Sequence, residues 1–135
     1  MEPRFLLDTD TLIYLRSKRS EKVERRVMAL HPGEAAMSVI TYGELSFGVA
    51  KETQSAAALQ RLQSLTAFFF VLALPVTAGQ VYGSLYAELE SRGQMIGNND
   101  LWIAAHGMAA GLTVVTNNER EFRRIDGLKI ENWAS

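Results

Sequence analysis

Short apolar runs of strand length alternate along this chain with longer stretches of helical periodicity, and that alternation narrows the fold to an α/β class. Phe5-Leu6-Leu7 is a short strand ending at Asp8. Thr11 to Arg16 reads as a helical turn or two. Ser20 caps a helix running to about Leu30, which His31-Pro32-Gly33 stops. Ala35 to Val39 is a second strand, followed by a helix over Thr41–Lys51 in which Gly43 and Gly48 are poor helix formers. Ser55 to Phe70 is a helix with Leu59, Leu62 and Leu65 on one side, and Val71 to Leu74 a third, buried strand closed by Pro75. Thr77 is placed to cap a helix reaching Ser91. Asn98 or Asn99 is placed to cap another through Ala110, with Gly111 as its stop. Leu112 to Val115 makes a fourth strand and Leu128 to Ile130 a fifth. The expected architecture is a three-layer sandwich: a central parallel sheet of four to five strands with helices on both faces.

With 135 residues the chain fits one domain, residues 1–135, and can bury a core of its own. No cysteine is present, which excludes a disulfide framework, a zinc ribbon and a cysteine nucleophile, and fits a reducing cytoplasm. Met1-Glu2-Pro3-Arg4-Phe5 does not open like a signal peptide. The longest apolar run, Ala67 to Leu74, falls far short of the about 18 residues a membrane span needs, so no membrane role is expected.

In open α/β sheets ligands gather at the carboxyl ends of the strands. That rule selects Asp8 and Thr116, where strands end, and the Ser38–Glu44 turn and helix start. Asp100 opens the helix that follows Asn98-Asn99. Carboxylates brought together repel: at about 4 Å two charges cost roughly 4 kcal/mol at an effective dielectric of about 20. A cluster of Asp8, Glu44 and Asp100 therefore calls for a cation. Oxygen donors without His or Cys select Mg²⁺ or Mn²⁺ over zinc, and such an ion suits phosphodiester hydrolysis. The plain alternative leaves each acid structural, with Asp8 a helix cap, Asp100 a partner of its helix dipole and Glu44 a surface residue.

Four segments resemble the PIN-domain nucleases, and within them the VapC toxins of bacterial toxin–antitoxin pairs. They are Phe5-Leu-Leu-Asp-Thr-Asp-Thr-Leu-Ile-Tyr-Leu15, Ser38-Val-Ile-Thr-Tyr-Gly-Glu-Leu45, Ile96-Gly-Asn-Asn-Asp-Leu-Trp-Ile-Ala-Ala-His106 and Leu112-Thr-Val-Val-Thr-Asn-Asn-Glu-Arg-Glu-Phe122. The resemblance implies a Mg²⁺-dependent (Mn²⁺ possible) endoribonuclease that cleaves RNA, often tRNA. It makes Asp8, Glu44 and Asp100 the catalytic and metal-binding acids and Thr116 a hydroxyl bordering the site. It also implies a VapB antitoxin that lays a segment across the site, and a homodimer within a larger toxin–antitoxin assembly. Many members carry a fourth acid where this chain has Asn118, so one Mg²⁺ is expected unless Glu119 or Glu121 reaches in; on a short helix only one of the two can. Asp10 is either an outer carboxylate or the cap of the following helix, with capping preferred.

The net charge of −1 speaks against a nucleic-acid partner, but its distribution is uneven. Arg16, Lys18, Arg19, Lys22, Arg25 and Arg26 fall close together, and Arg120, Arg123 and Arg124 form a second group. Each is either a solvated face or a phosphate-contacting rim, and Arg16, Lys18 and Arg19 are the candidates for RNA contact. His106 is expected to be a packed, hydrogen-bonded histidine and His31 a turn residue. Tyr14, Tyr42 and Trp102 are able to stack on a base, with core packing preferred for Trp102. Two other functions compete. Asp8-Thr9-Asp10-Thr11 is similar to the opening of haloacid-dehalogenase-type phosphatases, but the downstream lysine and Asp pair are missing. A PIN fold with a depleted site would instead only bind RNA or protein.

Overall fold

The computed structural model describes residues 2–135. The elements run β1 (Phe5–Leu7), α1 (Thr9–Arg16), α2 (Glu21–Met28), β2 (Ala35–Ser38), α3 (Val39–Ala50), α4 (Ser55–Phe68), β3 (Phe70–Leu72), α5 (Val76–Ser91), α6 (Asn98–Ala110), β4 (Thr113–Val115), α7 (Glu119–Phe122) and β5 (Ile130–Glu131). All strand pairings are parallel, in the order β3-β2-β1-β4-β5. The expected sheet of four to five strands is thus one of five.

Strand alternation divides the core into two layers. Phe5, Leu7, Met37 and Val115 face one way and pack with Leu12, Val23, Val27, Leu45 and Leu62 from α1 to α4. Leu6 and Val114 face the other way and pack with Leu85, Leu89, Leu101, Ile103 and Phe122 from α5 to α7. Successive side chains of a strand point to opposite faces, so three-residue strands supply both layers at once. On the second face Gly107 lets α6 lie against β4: a Cβ there would come within 2.6 Å of Val114 Cγ2.

Several local signals act as the residue chemistry dictates. The Ser20 side chain accepts from the Val23 amide and caps α2. Gly111 ends α6 in the left-handed conformation, φ 70°. Others are overruled. Thr77 does not cap α5; Pro75, extended at φ −69° and ψ 149°, starts that helix with its carbonyl accepting from the Ala78 amide. Neither Asn98 nor Asn99 caps α6: Gly97 occupies that position and its carbonyl accepts from the Leu101 amide, so both asparagines already lie inside the first turn. β3 is not buried. It forms an edge of the sheet, and Phe69 rather than Phe70 turns inward. Among the described residues no helix is long and apolar enough to cross a membrane.

Candidate active site

The strand order sets where the site lies. From β1 the chain moves outward through β2 to β3, then returns to place β4 on the opposite side of β1. The order reverses at β1 and β4, and an open parallel sheet leaves a crevice beyond the carboxyl ends of two such strands. Asp8 and Thr116 are the residues that follow these strands. The Asp8 amide donates to the Val115 carbonyl at 3.0 Å, and the Thr11 hydroxyl donates to the same carbonyl at 3.2 Å.

Asp8 is both the cap of α1 and part of the crevice. Its Oδ1 accepts from the Thr11 amide at 2.9 Å, and the Thr116 hydroxyl also hydrogen-bonds its carboxylate. The Thr116 oxygen in turn accepts from the Asn118 amide at 2.9 Å. The capping residue of α1 is therefore also a wall of the crevice. Asp10 is not the cap; it lies in the first turn of α1, exposed on the wall of the cleft. The cap has to stand just before the helix with extended backbone, and Asp8 holds that place at ψ 171°.

A cavity of about 790 Å³ opens in front of these acids, with Asp10, Glu44 and Asp100 on its walls. Glu44 reaches it from α3, where Oε1 accepts from the Thr9 hydroxyl at 2.5 Å. Thr9, whose oxygen also lies 3.2 Å from that of Thr41, was not singled out from the sequence. Its only signal there is its position between Asp8 and Asp10. Asp100 sits in the first turn of α6, where the helix dipole favours a negative charge. The α7 helix settles which glutamate turns inward. Glu121 accepts from the Asn118 side chain and its charge acts on Asp100. Glu119 faces away, held by Arg123 at 2.9 Å and Asn132 at 3.2 Å.

Crowding shows in the acidities. Burial pushes the Asp8 carboxyl up to about 6 against the hydrogen bonds from Thr116 and Thr11, with the charge of Asp10 adding to the rise. Asp8 is only 2 % exposed. Asp100 is also pushed up to about 6, first by burial and then by the charges of Asp8, Glu121, Asp10 and Glu44. Five carboxylates thus share one field, which a hard divalent cation would relieve. The donors are carboxylates, hydroxyls and an amide, as Mg²⁺ and Mn²⁺ prefer. Among the described residues no three acidic, imidazole or thiolate groups are already drawn together tightly enough to grip an ion. Asp10, Glu44 and Asp100 stand on the walls of the cavity.

The other predicted residues divide clearly. Arg16 lies on the wall of a smaller groove beside the acids, shared with Thr9 and Glu44. Lys18 and Arg19 lie past the end of α1, and Arg19 covers the Tyr14 ring at 5.5 Å. His106 is buried with Nδ1 2.8 Å from Ser38 Oγ, and burial lowers its pKa; it is the packed histidine expected. Ser38 Oγ also accepts from the Ile40 amide and so caps α3. His31 lies exposed in its turn. Trp102 stacks on Tyr82 of α5 at 3.7 Å between ring centres, a packing role, whereas Tyr42 remains exposed.

A family model described as the PIN domain matches residues 5–128. "Ribonuclease VapC2" of Rickettsia felis is 35% identical over 130 residues, covering 96% of this chain and 97% of that protein. The "tRNA(fMet)-specific endonuclease VapC" of Shigella flexneri is 33% identical over 131 residues, covering 97% and 98%. The crystal structure of DNA-bound VapBC from Salmonella typhimurium superposes with a TM-score of 0.91 at 35% identity, over 98% of this chain and 99% of that one. With the parallel five-stranded sheet and the acids at its switch point, these matches show that the chain belongs to the PIN-domain family, among its VapC ribonucleases.

Proposed function

We propose that this chain is a divalent-metal-dependent endoribonuclease, the toxin of a toxin–antitoxin pair, with tRNA as its substrate class. The observation that carries it is the convergence of Asp10, Glu44 and Asp100 on one cleft beside the buried Asp8, where burial and then the charges of Asp8, Glu121, Asp10 and Glu44 raise the pKa of Asp100. Such a field is costly for a protein that only needs to fold, and it suits one that must hold a cation against a phosphate. The substrate follows from the relative in Shigella flexneri, named for tRNA(fMet). The partner follows from structures of VapBC complexes that share this fold, such as that from Salmonella typhimurium.

In this reading Asp8, Glu44 and Asp100 hold Mg²⁺ or Mn²⁺, with Asp10 and Glu121 as outer charges. When bound, the ion lowers the pKa of water and offsets charge growing on the phosphate. The chain's own groups do the positioning. Thr116 and the Thr11 amide orient Asp8, and Thr9 orients Glu44. Asp8 and Asp100, which end a strand and open a helix on either side of the crevice, are placed to orient the attacking water. A dehalogenase-type phosphatase would need a lysine among the carboxylates, and Lys51 of the adjoining groove lies against the Phe47 ring instead.

The test is cleavage of RNA, including tRNA, by the purified chain with Mg²⁺ or Mn²⁺, against EDTA, Asp8→Asn and Asp100→Asn. Activity is expected only for the native chain with metal. Undiminished cleavage in EDTA or by both variants would overturn the mechanism.

A further inference from the structure

The cleft does not end at the acids. A groove of about 200 Å³ continues from it, sharing Thr9, Ile13, Glu44 and Phe47 and adding Arg16, Lys51 and Glu52. Two helix stripes line its sides. On α1, Thr9, Ile13 and Arg16 fall at i, i+4 and i+7. On α3, Phe47 and Lys51 fall at i and i+4, ending at the C-cap. Neither Gly43 nor Gly48 brings anything within 4 Å of where a Cβ would stand, so the space beside Phe47 is open.

Phe47 is 65 % exposed on the wall shared by the cleft and the groove. The Lys51 ammonium lies 5.0 Å from its ring centre. Among the described residues neither Arg16 nor Lys51 has an ion-pair partner within 4 Å. An exposed aromatic face flanked by free cations is the pattern that holds an unpaired base and its phosphates.

Resting on the ribonuclease proposal, we infer that the α1–α3 groove is a substrate subsite for a single RNA strand. Phe47 stacks a base next to the cleaved bond, and Lys51 and Arg16 hold the adjoining phosphates. Beyond the acids of the cleft the groove presents the Phe47 ring and the cations Arg16 and Lys51, with Glu52 as the one further acid. The net charge of the whole chain hides this local polarity.

The test uses the full chain and a single-stranded RNA oligomer, with cleavage kinetics for the active protein and fluorescence anisotropy for Asp100→Asn. Phe47→Ala should raise KM and Kd by about 5- to 100-fold with little change in kcat, and Phe47→Trp should restore them. Arg16→Ala and Lys51→Ala should each reduce the slope of log Kd against log salt by about 0.7, the increment for one phosphate contact on a single strand. Lys129→Ala, at the opposite edge of the sheet, should leave the slope unchanged. If RNA is cut and bound but the Phe47, Arg16 and Lys51 variants match the native chain, the subsite is overturned and the groove serves another occupant, such as a peptide partner. If the native chain neither cuts nor binds RNA, the ribonuclease proposal falls and the subsite with it.

Discussion

Asp100→Asn should make the protein more stable at neutral pH while abolishing its activity. Asp100 rises from 3.8 to about 6 on folding. At about 1.4 kcal/mol per pH unit, that rise corresponds to about 3 kcal/mol between the protonated and ionised forms. The sign follows from linkage. Well below pH 3.8 the carboxyl is protonated in both folded and unfolded chains and costs nothing; as pH rises from about 3.8 through about 6 the unfolded chain ionises first, and stability is lost until the folded chain has ionised too. Asparagine has no such transition. The variant should therefore match the native chain near pH 3 and exceed it by about 1 to 2 kcal/mol near pH 8, less than the full rise because solvent screens a half-buried carboxylate. Urea unfolding in EDTA would show this as a midpoint displaced by about 1 to 2 M. Adding Mg²⁺ at about a hundred times its Kd should return about 2.7 kcal/mol to the native chain and less to the variant. A variant less stable than the native chain at pH 8, or a gap that persists unchanged on acidification, would refute the claim that Asp100 sits in a field of like charges.

Two further outcomes separate neighbouring residues. Glu121→Gln should lower kcat/KM for RNA by about 10- to 100-fold, whereas Glu119→Gln, which loses only its contacts to Arg123 and Asn132, should keep native kinetics; equal effects would show that α7 turns the other way in solution. Gly107→Ala should destabilise the fold by about 1 to 3 kcal/mol in urea unfolding, because its Cβ would stand 2.6 Å from Val114 Cγ2, and an unchanged midpoint would mean that α6 and β4 separate readily.

How legible the site was depends on how local its signals are. Asp8 was legible because three apolar residues precede it and a polar helix start follows, so both its strand and its edge position follow from adjacent residues. Ser20 and Gly111 were legible for the same reason. The capping assignments at Thr77, Asn98 and Asn99 failed because helix starts are set by backbone conformation: Pro75 and Gly97 adopt extended geometry one or two residues earlier, which no propensity at the polar residues reveals. Asp10 lost its capping role to Asp8 in the same way. The −1 net charge argued against RNA because a sum cannot show that acids gather at one end of a cleft and Arg16 and Lys51 at the other.

The residues alone determined an α/β chain with parallel strands and an acid at the end of the first, because periodicity and chain punctuation are properties of short segments. Only the tertiary structure decided the rest. Placing β4 beside β1 joins Asp8 to Thr116, although more than a hundred residues separate them. The turn of α7 brings in Glu121 and excludes Glu119, restoring a fourth acid next to Asn118. The acidities near 6 are likewise a tertiary product, since desolvation and the repulsion of distant carboxylates exist only once the chain has closed around them.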